Sequence, residues 1–211
     1  MALDSTLDSR RGGVRAILFA KAPIPGRVKT RLAAGIGPDR AAALHRAFTA
    51  DMIEKLMPLA PLELHTDIET DEWRQFNVTR RLQAPGGLGE RMLHAVMSAS
   101  PIAAIVVGSD APTVPFGHLE KLIHSAADIA LGPAEDGGFY AIFCRKLHPQ
   151  MFEGVEWSGP RALEQTVRAA TRCGLSVEIG PQWWDVDQLE DLERLRLDPH
   201  LPRFTRETLC L

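Results

Sequence analysis

Cysteine is scarce in this chain: Cys144, Cys173 and Cys210 are an odd number, far apart, with no C-x-x-C pair and no close histidine pairing. That pattern excludes a disulfide framework and a structural zinc site, and reduced thiols in a cytoplasm are expected. Long apolar runs are also missing, since nothing approaches the roughly 20 residues that span a bilayer. Residues Met1 to Gly13 are polar and charged without an apolar centre, so they read as a disordered tail and not as a signal peptide or anchor. Nor is there an excess of positive charge. The 24 lysines and arginines stand against 27 acids, a formal net charge of −3, which disfavours nucleic acid as a partner. Two familiar phosphate-binding patterns fail as well. Lys29-Thr30 matches the end of a P-loop, but Val28 stands where its second glycine belongs; Gly35-Ile36-Gly37 lacks the third glycine of a dinucleotide fingerprint.

What is present is organised around Ile17 to Leu32, I-L-F-A-K-A-P-I-P-G-R-V-K-T-R-L. The apolar run Val14 to Ala20, broken only by Arg15, predicts a buried strand. Pro23, Pro25 and Gly26 end it and predict a loop that does not wind into a helix. That loop holds Lys21, Arg27, Lys29 and Arg31, four cations in eleven residues of an acidic chain. Cations on a stiff loop at a strand's end suit a ligand with several negative oxygens, most simply nucleotide phosphates; the alternative is a solvated basic turn.

Farther along, Pro38 opens a helix with an apolar stripe of Leu44, Phe48, Met52 and Leu56, and His45 is expected at its boundary. Leu62 to Thr66 reads as a short strand and Asp67 to Phe76 as loop or a partial helix. Q-A-P-G-G-L-G-E-R-M, Gln83 to Met92, is either a ligand-lining loop or a plain turn into a helix striped by Leu88, Met92, Val96 and Ala99. Ile102 to Val107 is the most apolar strand and runs straight into G-S-D-A-P, which puts Asp110 beyond the carboxyl end of a central strand, ahead of a helix starting near Pro115. Strands at Asp128 to Leu131 and Phe139 to Cys144 flank Glu135-Asp136-Gly137-Gly138, consistent with a hairpin. A helix striped by Leu163, Val167 and Ala170 precedes a strand at Ser176 to Ile179.

In an extended segment Asp185 and Asp187 face one side and can hold a hard divalent cation, although Asp187 with Glu190 also resembles a capping box for the helix striped by Leu189, Leu192 and Leu195. Pro199 to Leu211 reads as irregular. Strand and helix alternate nearly throughout, which predicts a three-layer α/β/α sandwich with a mainly parallel, mixed sheet and one domain over residues 14–211.

The stretches F-A-K-A-P-I-P-G-R-V-K-T-R-L, Q-A-P-G-G-L-G-E-R-M, G-S-D-A-P, G-P-A-E-D-G-G-F, V-E-W-S-G and D-V-D-Q-L-E-D-L, in that order, resemble a bacterial family of glycosyltransferase-A-like proteins. Its members are labelled glycosyltransferases or radical-SAM/selenodomain-associated transferases, and are similar to phospholactate and molybdenum-cofactor guanylyltransferases. The likeness covers about residues 14 to 196. It implies the nucleotide-diphospho-sugar transferase (GT-A) fold. Lys21, Gly26, Arg27, Lys29 and Arg31 would lie on the nucleotide with Gln83 and Gly89, and Gly137, Gly138 and Trp157 on the acceptor side. Asp110 would bind Mg2+ or Mn2+, with Asp185 or Asp187 as a second ligand. Lys29, Asp110 and Asp136 are the implied catalytic residues. Gly87, Gly159 and Phe139 depart from the family pattern, which bears on the acceptor more than on the nucleotide.

The function expected is metal-dependent transfer from a nucleotide donor to a small acceptor. Nucleotidyl transfer onto a phosphorylated acceptor needs no general base, because the attacking phosphate is already anionic. Glycosyl transfer with inversion would need one, for which Asp136 or Glu135 is available. A nucleotide-binding regulatory module without turnover is the rival from another class.

Overall fold

β1 (Val14–Ala20) runs through the middle of a seven-stranded sheet, paired in parallel with β2 (Leu62–Thr66) on one side and β4 (Ala103–Gly108) on the other. Covered on both faces, it needs apolar residues at nearly every position, and Ala16, Ile17 and Leu18 are fully buried. This structure is a computed structural model that describes residues 13–157 and 159–210. The expected N-terminal tail lies outside the described residues, Gly13 excepted.

The remaining strands are β3 (Thr79–Leu82), β5 (Ile129–Pro133), β6 (Phe139–Cys144) and β7 (Val177–Ile179), in the spatial order β3-β2-β1-β4-β6-β5-β7. Only β6 is antiparallel to its neighbours, β4 and β5, so the hairpin read from Asp-Gly-Gly is the one reversal in a mostly parallel sheet.

The helices are α1 (Thr30–Ile36), α2 (Pro38–Leu56), α3 (Leu88–Ala99), α4 (Phe116–Ile123), α5 (Ala162–Arg172), α6 (Leu189–Arg196) and α7 (Arg203–Leu209). One apolar cluster joins α2 and α4 to Ala16 and Leu18 of β1; a second joins α3 and α5 to Ile17 on the opposite face. The two together make the three-layer α/β/α sandwich. A third cluster, with Leu32 of α1, Leu44 and Phe48 of α2, and Trp184, Val186 and Leu192, fastens the segment after β7 across one end of the sheet. Gly37, at φ 87°, lets α1 end and α2 begin on a single residue. No helix among the described residues is long and apolar enough to cross a membrane.

Four local expectations change. The basic segment does not stay a loop throughout, because the prolines hold it open only as far as Lys29 and Arg31 sits on α1. β3, sequence T-R-R-L, is fully exposed; an edge strand paired only to β2 needs no apolar alternation, so nothing marked it. The segment after Pro199 is not irregular, since α7 is capped from a distance: Asp51 of α2 accepts hydrogen bonds from the amides of Phe204 (2.9 Å) and Thr205 (2.8 Å) and from Thr205 Oγ1 (2.6 Å). The cap of α6 is made by Asp191, which accepts from the amides of Asp187 (2.9 Å) and Gln188 (2.7 Å), and not by the Asp187–Glu190 pair.

Candidate functional site

Six strands share one direction, so the loops after β1, β2, β3, β4, β5 and β7 gather on one rim, and the reversed β6 starts there. β1 sends its chain to β2 on one side and has β4 on the other, which opens a crevice at the carboxyl ends of β1 and β4, the usual ligand position in open α/β sheets.

The four cations of the β1 loop and α1 are not equivalent there. Lys21 and Arg27 are exposed, with Arg27 only 3.7 Å from Asp67 Oδ2, and Asp67 Oδ1 anchors the loop by accepting the Ala22 amide at 2.7 Å. Gly26 turns between them at φ 78° in open space. Lys29 is buried, its side chain 3% exposed, and Nζ lies 2.8 Å from Asp110 Oδ1 and donates to the Val186 carbonyl at 2.6 Å. Its backbone is left-handed, φ 47°, which a non-glycine residue adopts only under constraint. Arg31 donates to Asp187 Oδ2 at 2.7 Å.

Asp110, Asp136 and Asp185 come from the ends of β4, β5 and β7. Among the described residues Lys29, His45 and Ser109 all meet Asp110 on Oδ1 and none meets Oδ2, and the side chain is 48% exposed. Its crowded surroundings oppose ionisation, but the Lys29 ammonium, His45 and the hydrogen bonds from Lys29 and Ser109 hold the carboxyl below its ordinary range. Asp185 moves the other way, up to about 6, through burial first and then the charges of Asp136 and Asp110, against the pull of Lys29. Asp136 is exposed and its Oδ1 accepts the Gly138 amide at 2.8 Å. Asp187 is turned to Arg31, so Asp185 and Asp187 do not act as a pair.

Among the described residues no group of three or more His, Cys, Asp or Glu side chains stands in a metal-holding arrangement. The donor set nonetheless fits a hard cation: hard oxygens, an Asp110 Oδ2 that no described residue contacts, and a carboxyl, Asp185, whose ionisation its neighbours resist.

His45 is not a boundary residue. It is buried, Nε2 lies 2.9 Å from the Lys21 carbonyl, and Nδ1 has no hydrogen-bond partner and faces Asp110 Oδ1 at 3.9 Å. Burial lowers its pKa, against Asp110 and the Lys21 carbonyl, which raise it. An apolar-stripe reading could not find it, because its partner arrives from β4. Glu135 is held by Arg194 (2.6 and 3.1 Å), whose guanidinium stacks 4.3 Å over Trp184; the hydrogen bond from Arg194 keeps its carboxyl low. This removes Glu135 as a free base.

Gln83 ties two strand ends together, its Nε2 donating to the carbonyls of Ala20 (3.3 Å) and His65 (3.0 Å). Gly89 has a packing reason, since a Cβ there would lie 2.8 Å from the Trp157 ring, which also meets Phe139 and Phe152 edge-on. Gly138 follows from the Asp136 turn. Gly137, at φ 88°, would place a Cβ 1.9 Å from the Pro160 carbonyl oxygen. Gly137→Ala should therefore cost about 2 kcal/mol or more, strain plus clash, whereas Gly26→Ala, with equal need of φ but open space, should cost about 1 kcal/mol. Urea denaturation of both variants tests this; equal losses would mean that the Pro160 contact yields freely.

The fold and this rim have known counterparts. A family model described as "Uncharacterized protein conserved in bacteria (DUF2064)" matches residues 43–159. A 2-phospho-L-lactate guanylyltransferase of Haloarcula marismortui is 26% identical over 185 residues, 83% of each chain. Another, from Methanoculleus marisnigri, is 33% identical over 92 residues, 42% of this chain and 41% of its own. Among solved structures, a protein of Desulfovibrio desulfuricans G20 described as a nucleotide-diphospho-sugar transferase superposes with a TM-score of 0.83 at 31% identity over 94% of both chains. With more than half of its length matched by the family model and its fold shared end to end, the chain belongs to the bacterial family DUF2064 and carries the nucleotide-diphospho-sugar transferase fold.

Proposed function

We propose that this transferase moves a nucleoside monophosphate from a nucleoside triphosphate to a small phosphorylated acceptor, using Mg2+ or Mn2+ held by Asp110 and Asp185. The observation that carries the reading is that Asp110 and the segment of Asp185 meet, the Val186 amide donating to the Asp110 carbonyl at 2.9 Å and Lys29 joining both, at the end of the loop that bears the exposed Lys21 and Arg27. The named guanylyltransferase relatives support nucleotidyl over glycosyl transfer.

In this reading Lys21 and Arg27 meet the phosphate chain, with the open Gly26 turn between them allowing close approach. Lys29 holds the Asp110 carboxylate in place and spreads positive charge beneath it. The divalent cation, when bound, would neutralise phosphate oxygens and orient them. An acceptor phosphate oxygen attacks the α-phosphorus, the new O–P bond forms as the bond to the bridging oxygen breaks, and pyrophosphate leaves. No proton has to be removed from the nucleophile, which fits a rim where His45 is buried behind Asp110. Gly137, Gly138 and Trp157 form the wall on which the acceptor would rest. Asp187, occupied by Arg31, is set aside as a metal ligand.

A thermal-shift panel tests this, with GTP, CTP, UTP, ATP, UDP-glucose and GDP-mannose, each with and without Mn2+. A ligand at 100 times its dissociation constant stabilises by roughly 2.7 kcal/mol, a shift of about 5 to 10 °C for a chain of this size. The expected result is a Mn2+-dependent shift with a triphosphate, GTP first. A shift with nucleotide sugars alone would replace nucleotidyl by glycosyl transfer, and silence across the panel would overturn the reading.

A further inference from the structure

The turn after Asp110, residues 111–114, is buried, yet two of its carbonyls are not paired within it. Lys55, near the end of α2, reaches them from below: its Nζ donates to the carbonyl of Pro112 at 2.6 Å and to that of Val114 at 2.6 Å. No carboxylate lies within ion-pairing distance of Lys55 among the described residues, so the ammonium is satisfied chiefly by that turn. Burial depresses its pKa to about 8, with Asp51 and Asp198 favouring its charge from farther away. A charged group is retained in a costly place, and its two short bonds go to the same turn.

The other attachments of the turn point the same way. Val114 donates its amide to Ala111 (3.1 Å), Trp183 Nε1 donates to Thr113 Oγ1 (3.3 Å), and the Val186 amide donates to the Asp110 carbonyl (2.9 Å). Asp110 is thus strung between the end of β4 and a turn whose carbonyls end on a helix of the neighbouring layer. Displacement of such a group by about 1 Å is enough to lower catalysis by about 100-fold.

We infer that Lys55 is a positioning residue for Asp110, setting the height of the 110–114 segment over the sheet and, through the Asp110 carbonyl, that of the segment bearing Asp185. The inference rests on the proposed function only for what Asp110 does; the anchoring itself is separate from it.

The test is amide hydrogen exchange on the full chain, comparing wild type, Lys55→Met and Lys55→Arg, joined to Mn2+ and GTP titrations. Methionine keeps the apolar stem and loses every donor, whereas arginine keeps charge and donors. The expected result is that Lys55→Met speeds exchange about tenfold at Val114 and Val186 while β2 and β5 amides stay protected. Lys55→Arg should restore most of that protection, and Mn2+-GTP affinity should follow the same order. Unchanged rates at Val114 and Val186 in a folded Lys55→Met variant would overturn the inference, as would uniform acceleration across the sheet. Should Lys55→Met fail to fold, Lys55→Gln, too short to reach both carbonyls, is read by the same amides. If wild type binds no nucleotide, the transferase reading fails, and the exchange rates still decide the role of Lys55.

Discussion

Asp110→Asn should weaken metal-dependent nucleotide binding by about two orders of magnitude while leaving the protein folded. The amide preserves the size of the side chain, and Lys29 Nζ keeps its bond to the Val186 carbonyl. Because Asp110 is about half exposed, at 48%, the lost ion pair is partly screened and should cost about 1 kcal/mol of stability. The functional loss is far larger. A hard divalent cation depends on anionic oxygens, and removing one of two carboxylates should weaken Mn2+ binding in the presence of GTP by ~100-fold, about 2.7 kcal/mol. Asp185→Asn should match it. Asp187→Asn should not, since its carboxylate answers to Arg31, an exposed pair of small worth.

Proton competition supplies a further signature. With Asp185 raised to about 6, a cation must displace its proton below that pH, so wild-type affinity for Mn2+ should fall as pH drops through about 6. Paramagnetic titration of free Mn2+ reads all of these. Wild-type affinity in Asp110→Asn would place the metal elsewhere.

Lys29→Met should both unbind nucleotide and destabilise the fold, in contrast to an ordinary loop lysine. Its ammonium is buried between Asp110 and the Val186 carbonyl, so methionine strands a buried acceptor and leaves Asp110 and Asp185 without the cation beside them. The stranded carbonyl alone is worth about 1 to 3 kcal/mol, and the screened carboxylate adds to it.

The sign of the pH dependence follows from Asp110. Its folded pKa lies below the ordinary 3.8, so the pairing stabilises fully above that value and fades as pH falls through the lowered one; the difference between wild type and Lys29→Met should therefore be larger at pH 7 than at pH 3. Lys29→Gly separates backbone from charge. It loses the ammonium too and relieves a left-handed residue at φ 47° by about 1 kcal/mol, but it also empties the space of the buried stem, so it should be the less stable of the two variants. Chemical denaturation at both pH values orders the three proteins; a Lys29→Met variant as stable as wild type would show that the ammonium is dispensable.

The parts of this molecule that announce themselves in sequence are those whose reasons are local. The run from Val14 to Ala20, the stripe Leu44, Phe48, Met52 and Leu56, and an acid standing directly after the most apolar strand all carry their explanation within a few residues. The features that escaped notice have partners far along the chain. α7 is capped by Asp51, His45 faces an aspartate from β4, and Lys29, read as one of four similar loop cations, is singled out only when Val186 closes over it. An edge strand of arginines, β3, leaves no apolar trace at all.

The single reversed strand has a bearing on how such a rim can diversify. Helical crossovers separate the visits of the chain to the rim between β1 and β2, β3 and β4, and β4 and β5, so a change in one of those loops also bears on how a helix packs. The turn at residues 134–138 instead joins two adjacent strands directly, and a doubling of its length would cost only about 0.6 kcal/mol in closure entropy. Its present shape is pinned by Pro160 against Gly137 and by Arg194 on Glu135, contacts that an inserted segment would discard without disturbing β1 or β4. One wall of the crevice is therefore open to remodelling by insertion, while the wall carrying Lys29 and Asp110 has to be inherited intact.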